Sequence, residues 1–124
     1  MTKSSLFFNL FRDKETTSFA AGQFVVRAGE VGQTMYVVTD GEVDILDGEA
    51  LLETAGPGSI VGELALIDDE PRSASIVART DCRLVAVNRR QFEFMVQETP
   101  FFALAVMKVL ADRLRKKNIR MRNV

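Results

Sequence analysis

The sequence of 124 residues has no histidine, no tryptophan, three prolines and a single cysteine, Cys82. Without histidine there is no imidazole to serve as general base near neutral pH, no His ligand for zinc, and no Ser-His or Cys-His nucleophile pair. One cysteine excludes an internal disulfide framework, and Cys82, in Asp81-Cys82-Arg83-Leu84, reads as a small core residue on a strand. The acidic run Asp68-Asp69-Glu70 has the spacing of no calcium loop and reads as a solvated turn. No base, nucleophile or metal cluster stands out, so the chain reads as a non-enzyme that needs no cofactor. No stretch approaches the roughly 20 consecutive apolar residues that cross a bilayer. The apolar cluster Leu6, Phe7, Phe8, Leu10, Phe11 is interrupted by Asn9 and closed by Arg12, with no small-residue cleavage site after it. It is expected to form a short helix whose aromatics pack on the body, and a cytoplasmic location follows as the expectation.

What the sequence does contain is enough for one ordinary folded domain: 47% apolar and 27% charged residues, in a chain long enough to bury roughly 65 to 70% of its unfolded surface. Its formal net charge of −1 is a cancellation. Residues 1–107 carry 9 Lys/Arg and 16 Asp/Glu, whereas residues 108–124 carry Lys108, Arg113, Arg115, Lys116, Lys117, Arg120 and Arg122 against Asp112 alone. The body is acidic and the tail basic. Between Ala28 and Pro71 there is no Lys or Arg, against eleven carboxylates. An anion bound there must be neutralised by backbone dipoles or by a residue just outside.

From Phe24 to Asn88 the punctuation is that of an antiparallel β protein, a sandwich or jelly roll. Short β-branched runs (Phe24 to Arg27, Met35 to Thr39, Val43 to Leu46, Ser75 to Ala78, Arg83 to Val87) are separated by turn residues. Val43 and Ile45 alternate with Glu42 and Asp44, the period of a half-buried strand. Asp40-Gly41 and Asp47-Gly48 each predict a tight hairpin turn, because the dipeptide supplies the positive φ such turns require. The period then changes. Asn88 followed by Gln91 has the form of a capping box opening a short helix, with Phe92, Met95 and Val96 on one side. Thr99-Pro100 opens a second helix, since Pro at the first helical position gives up an amide that has no partner there.

Residues 58–78 read Gly-Ser-Ile-Val-Gly-Glu-Leu-Ala-Leu-Ile-Asp-Asp-Glu-Pro-Arg-Ser-Ala-Ser-Ile-Val-Ala. Gly62 opens a helix-prone stretch, Glu63 to Ile67, whose first amides would point outward and suit an anion. Arg72, followed by Ser73 and Ala74, is the cation within reach, and its planar fork donates two parallel bonds to a phosphate. The plain alternative is that Glu63 and Arg72 form a buried structural pair.

Val-Gly-Glu-Leu-Ala-Leu-Ile followed by Pro-Arg-Ser-Ala-Ser closely resembles the phosphate-binding cassette of cyclic nucleotide-binding domains, found in catabolite-activator-like regulators, kinase regulatory subunits and gated channels. Upstream, Gly29, Gly32 and Gly41, with Met35-Tyr36-Val37-Val38 between them, resemble that family's glycine-punctuated first strands. Two departures, Val61 for an aromatic and Ala28 for a proline, bear on packing and turn stiffness. The resemblance implies a mainly β fold, a jelly-roll barrel or double-stranded β-helix with one N-terminal and two C-terminal helices. It implies one domain over 1–124: a helical segment 1–22, a β roll 23–88 holding the cassette at 61–75, and helices over 89–124. It implies that Glu63 accepts the ribose 2′-hydroxyl, that Arg72 pairs with the cyclic phosphate, and that the amides near Gly62, Leu64, Ala65, Ser73 and Ala74 line the same pocket. The Ser73 hydroxyl fits phosphate or a guanine edge, leaving cAMP and cGMP both open.

Leu104, Met107, Ala111, Leu114, Asn118 and Met121 fall at alternating spacings of three and four, a seam with Asn118 at one core position, a device that fixes register in parallel pairs. The same pattern suits a helix packed on its own body, and the expectation is a homodimer. No recognition helix follows before Val124, so sequence-specific DNA binding is not expected, and an effector protein remains to be identified. The basic tail suits phosphate backbones, an acidic partner or anionic lipid, or simply complements the helix dipole. Two functions are carried forward: a cyclic nucleotide sensor that repositions its last helix, and an interaction or dimerisation module with a vestigial pocket.

Overall fold

A computed structural model describes the backbone of residues 6–122 and the side chains through residue 117. After a short helix α1 (Leu6–Phe11) come eight strands: β1 (Thr17–Phe19), β2 (Phe24–Val26), β3 (Thr34–Asp40), β4 (Val43–Asp47), β5 (Ala50–Ala55), β6 (Ile60–Val61), β7 (Ser75–Ala78) and β8 (Cys82–Asn88). A single 3₁₀ turn, Glu63–Leu66, separates β6 from β7. Two helices follow, α2 (Arg89–Glu98) and α3 (Pro100–Arg122). The chain divides into two compact units, residues 1–92 and 93–124.

In the first unit the strands form two four-stranded sheets, ordered β1-β8-β3-β6 and β2-β7-β4-β5. Every pairing is antiparallel. This is the expected jelly roll. Alternation along the strands makes the core: Val38, Val61, Cys82 and Leu84 from one sheet meet Val26, Val43, Ala55, Ile76 and Ala78 from the other. On the opposite face of the first sheet, Met35 pairs with Val87 and Val37 with Val85, all buried. There α1 packs against β3, with Phe7 and Phe11 buried. Asp44 on the outer face of β4 accepts from the Thr54 hydroxyl at 2.7 Å, so the polar half of the alternation is used as well.

The two Asp-Gly dipeptides behave differently. Asp47-Gly48 closes the β4–β5 hairpin as expected, with Gly48 at φ 62°. Asp40-Gly41 is not a hairpin turn. Gly41 has the positive φ, 77°, but β3 and β4 lie in different sheets, so the turn is a corner that passes the chain from one layer to the other. The reason is non-local. The β7–β8 connection makes the same crossing beside it, and the two corners bind each other: Arg79 N donates to Glu42 O at 2.9 Å and Glu42 N to the Thr80 hydroxyl at 3.0 Å. A Cβ on Gly41 would fall 2.2 Å from Asp81 O, so only glycine fits this corner.

The capping box forms as read. Gln91 N donates to Asn88 Oδ1, and Asn88 N to Gln91 Oε1, both at 2.8 Å. In the second unit, Pro100 is the first residue of α3, and Phe102 N donates to Thr99 O at 2.8 Å. Of the seam on α3, Leu104, Met107, Ala111 and Leu114 are exposed; Asn118 and Met121 lie outside the residues whose side chains are described. Among the described residues no single helix is long and apolar enough to cross a membrane.

Candidate functional site

The site is built on the connection between β6 and β7. Val61, fully buried in the core, fixes where the connection begins. Gly62 then turns the chain at φ 76° and opens the 3₁₀ turn. This left-handed start aims Glu63 inward, and its side chain is buried at 4% exposure in a region otherwise lined by surface carboxylates. Ala65 and Leu66 are buried beside it, while Leu64 is exposed. The helix-prone stretch read as Glu63 to Ile67 forms a 3₁₀ turn over Glu63–Leu66, with Ile67 as its C-cap. Ala65 N already leans on Gly62 O at 3.3 Å. So short a turn has little macrodipole, and neutralising an anion falls mainly to a side chain.

That side chain is Arg72. Its guanidinium Nη2 donates to Thr34 O at 2.8 Å, at the start of β3. Its Nη1 lies against Gly62, 2.9 Å from where a Cβ would stand. The structure therefore brings Arg72 to Gly62, the residue that immediately precedes Glu63 and lies ten positions earlier in the sequence. Its main chain is held too: Arg72 N donates to Glu30 O and Gly29 N to Arg72 O, both at 2.8 Å. Ser75 extends the same seam by accepting from Ala28 N at 2.9 Å through its hydroxyl. Of the two remaining predicted residues, Ser73 is exposed and Ala74 half-buried, between Arg72 and the start of β7.

Two participants carry no motif in the sequence. Thr34 acts through its carbonyl, which every residue type possesses. Arg89, the first residue of α2, donates from Nη1 to Leu66 O at 3.1 Å, at the last residue of the 3₁₀ turn, with Nη2 3.9 Å from Asp69. The only sequence signal for Arg89 is its position next to the capping box. Cys82 belongs to the core, where burial first and the Asp81 carboxylate second push its thiol pKa up.

Similarity to known proteins fits this geometry. A CRP-like cAMP-activated global transcriptional regulator of Mycobacterium tuberculosis is 32% identical over 114 residues, covering 88% of this chain and 51% of that protein. The crystal structure of Thermus thermophilus catabolite activator protein superposes with a TM-score of 0.77 at 31% identity, covering 86% of this chain and 53% of that one. A structure concerned with a cyclic-GMP-dependent signalling pathway that regulates bacterial phytopathogenesis matches with a TM-score of 0.65 at 34% identity, over 94% of this chain and 89% of that one. The chain thus spans about half the length of the first two proteins. The family model described as cyclic nucleotide-binding domain matches residues 16–99, from the start of the β roll through α2. With the cassette folded around Gly62, Glu63 and Arg72 inside that match, the chain belongs to the cyclic nucleotide-binding domain family.

Proposed function

We propose that this protein is a non-catalytic sensor of a 3′,5′-cyclic nucleotide. The observation that carries the reading is the placement of Arg72, its guanidinium seated against Gly62, next to buried Glu63, with one donor on Thr34 O. A guanidinium has five N–H donors; the one spent on Thr34 fixes the plane of the fork and leaves others for a phosphate. A cyclic phosphate carries one negative charge, which Arg72 offsets. Glu63 supplies the acceptor for the ribose 2′-hydroxyl, and the main chain at Gly62, Leu64, Ala65, Ser73 and Ala74 lines the remainder. Relatives point both ways on the base, one being described as cAMP-activated and another as belonging to a cyclic-GMP pathway, so both ligands enter the test.

The output runs through Arg89. Because it holds the last carbonyl of the 3₁₀ turn and opens α2, a shift of the cassette is felt at the first residue of the helices. The ligand changes the helices only by as much as it binds one arrangement better. The exposed apolar positions Leu104, Met107 and Leu114 support self-association through α3 as part of the same device, with an effector protein reading the result. Titration calorimetry of the purified chain with cAMP and with cGMP tests the reading. Saturable heat with at least one is expected; no heat and no thermal shift at millimolar concentrations of either would end the sensor reading and leave an interaction module.

A further inference from the structure

Of the eight glycines, six adopt a positive φ, which accounts for their identity. Gly32 and Gly56 do not, so their backbones are open to any residue. They differ in surroundings. A Cβ on Gly56 would meet nothing within 4 Å, whereas a Cβ on Gly32 would stand 2.7 Å from Arg72 Nη2, 3.1 Å from Nε and 3.3 Å from Cζ. Its three nearest neighbours are all atoms of one guanidinium. We infer that Gly32 is a positioning residue for Arg72: its missing side chain is the volume in which the guanidinium sits. This rests on the cyclic nucleotide reading above, and names a residue that sets the phosphate subsite without touching the ligand.

The guanidinium is wedged between two glycines. Gly62 bounds it on the Nη1 side and Gly32 on the Nη2 and Nε side, while Thr34 O, at the start of β3, accepts from Nη2. The turn that carries Gly32 also binds the main chain of Arg72 through Gly29 N and Glu30 O. Arg72 is thus held at both ends by residues 29–34. A methyl at position 32 leaves the main-chain bonds intact and drives out only the tip. Because the tip of an arginine is flexible, the crowding is relieved by moving the guanidinium, so the fold loses little and the subsite loses its geometry. Gly62 is a poorer probe, since its φ of 76° would strain any replacement regardless of Arg72.

The experiment compares Gly32→Ala with Gly56→Ala. Affinity for the better of cAMP and cGMP is measured by calorimetry, with thermal unfolding of the same samples. Gly32→Ala is expected to weaken binding by about tenfold to a hundredfold, the range for losing one or more hydrogen bonds to a charged group. Its unfolding midpoint should move by no more than a few degrees, since the lost bond to Thr34 O is offset by the restriction that Gly→Ala at a compatible backbone places on the unfolded chain. Gly56→Ala should leave affinity unchanged. In an Arg72→Lys background, whose slim ammonium does not fill the seat, Gly32→Ala should have no further effect. An equal loss in both backgrounds, or wild-type affinity in Gly32→Ala, would overturn the inference. A ligand-free readout separates it from the sensor reading: the Arg72 Nε–Hε resonance should move toward its free-arginine position in Gly32→Ala and stay put in Gly56→Ala. If the wild type binds neither nucleotide, the sensor reading fails, and a displaced Arg72 resonance still upholds the seat; an unmoved resonance refutes the seat even where nucleotide binds.

Discussion

Replacing Arg72 with alanine removes the cation from the site and leaves its framework standing, so it separates binding from folding. Truncating one partner of a hydrogen-bonded charge pair costs about 2 to 5 kcal/mol of binding. Arg72 is half-buried rather than sealed, and water can take up part of the vacated volume. The expected loss is therefore in the lower half of that range, about 2 to 3 kcal/mol, or roughly 30- to 150-fold in Kd. The folded chain loses less. One bond to Thr34 O disappears, worth about 1 kcal/mol net, and Thr34 is itself half-buried, so water replaces part of it. A loss of at most about 1 kcal/mol lowers the unfolding midpoint by roughly 3 to 5 °C for a domain of this size. The main-chain bonds of residue 72 to Gly29 and Glu30 survive the change. Calorimetric titration and thermal unfolding on one preparation give both numbers, and Arg72→Lys should fall between wild type and Arg72→Ala, keeping the charge but not the fork. Affinity within twofold of wild type would refute the assignment of the phosphate to Arg72. So would a loss of affinity that merely tracks a collapse of the unfolding midpoint.

Glu63→Gln should weaken the ribose ligand about tenfold, as a charge-assisted bond becomes a neutral one, while leaving a 2′-deoxy analogue almost unaffected; equal losses for both ligands would remove Glu63 from the 2′-hydroxyl. Arg89→Ala should keep affinity within a few-fold but abolish the ligand-induced change in hydrogen exchange at the start of α2, and an undiminished change would place the coupling elsewhere. For Cys82, the raised thiol pKa means that the unfolded chain loses its proton first as pH rises. Stability should accordingly fall above about pH 8.5, with the native thiol slow toward a disulfide reagent at pH 8. A Cys82→Ser variant with the same alkaline slope would assign that fall to other groups. Deletion from Arg115 onward should weaken self-association by sedimentation; an equally stable dimer would move the interface off α3.

Much of this was legible in the sequence, for reasons that are local. The alternation around Val43 marks a strand, Asn88 and Gln91 mark a helix start, and Gly-Glu-Leu-Ala with Pro-Arg-Ser-Ala marks the cassette. What escaped depends on partners distant in the chain. The strand β1 is three residues long and mostly exposed, β6 is two, and β5 includes Ala50, Glu53 and Thr54, so none offers a clear period; β1 and β6 pair with the seven-residue strands β8 and β3, and β5 pairs with β4 across the hairpin. Gly41 announced its positive φ but not its destination, because Asp81 and Thr80, some forty residues on, decide that the turn changes sheets. At the site, Glu63 and Arg72 are side-chain chemistry and could be read. Thr34 O is main chain, and Gly32 contributes an empty volume, so neither leaves a residue-type signature of its role.

Exposed loops ordinarily accept extra residues, yet the two turns that flank the strands here have opposite freedom in length. In the turn over residues 27–34, Glu30 caps Arg27 N through Oε1 at 3.0 Å, and Gly29 and Glu30 bind Arg72 from both sides. One inserted residue there would slip Thr34 and Gly32 out of step with Arg72. The β4–β5 tip is the reverse. A Cβ added at Gly48 would meet nothing within 4 Å, and the hairpin lies in the other sheet from β3 and β6. A reporter protein spliced in at Gly48-Glu49 would leave the register around Arg72 untouched, which makes that tip the natural seam for dividing or tagging the domain.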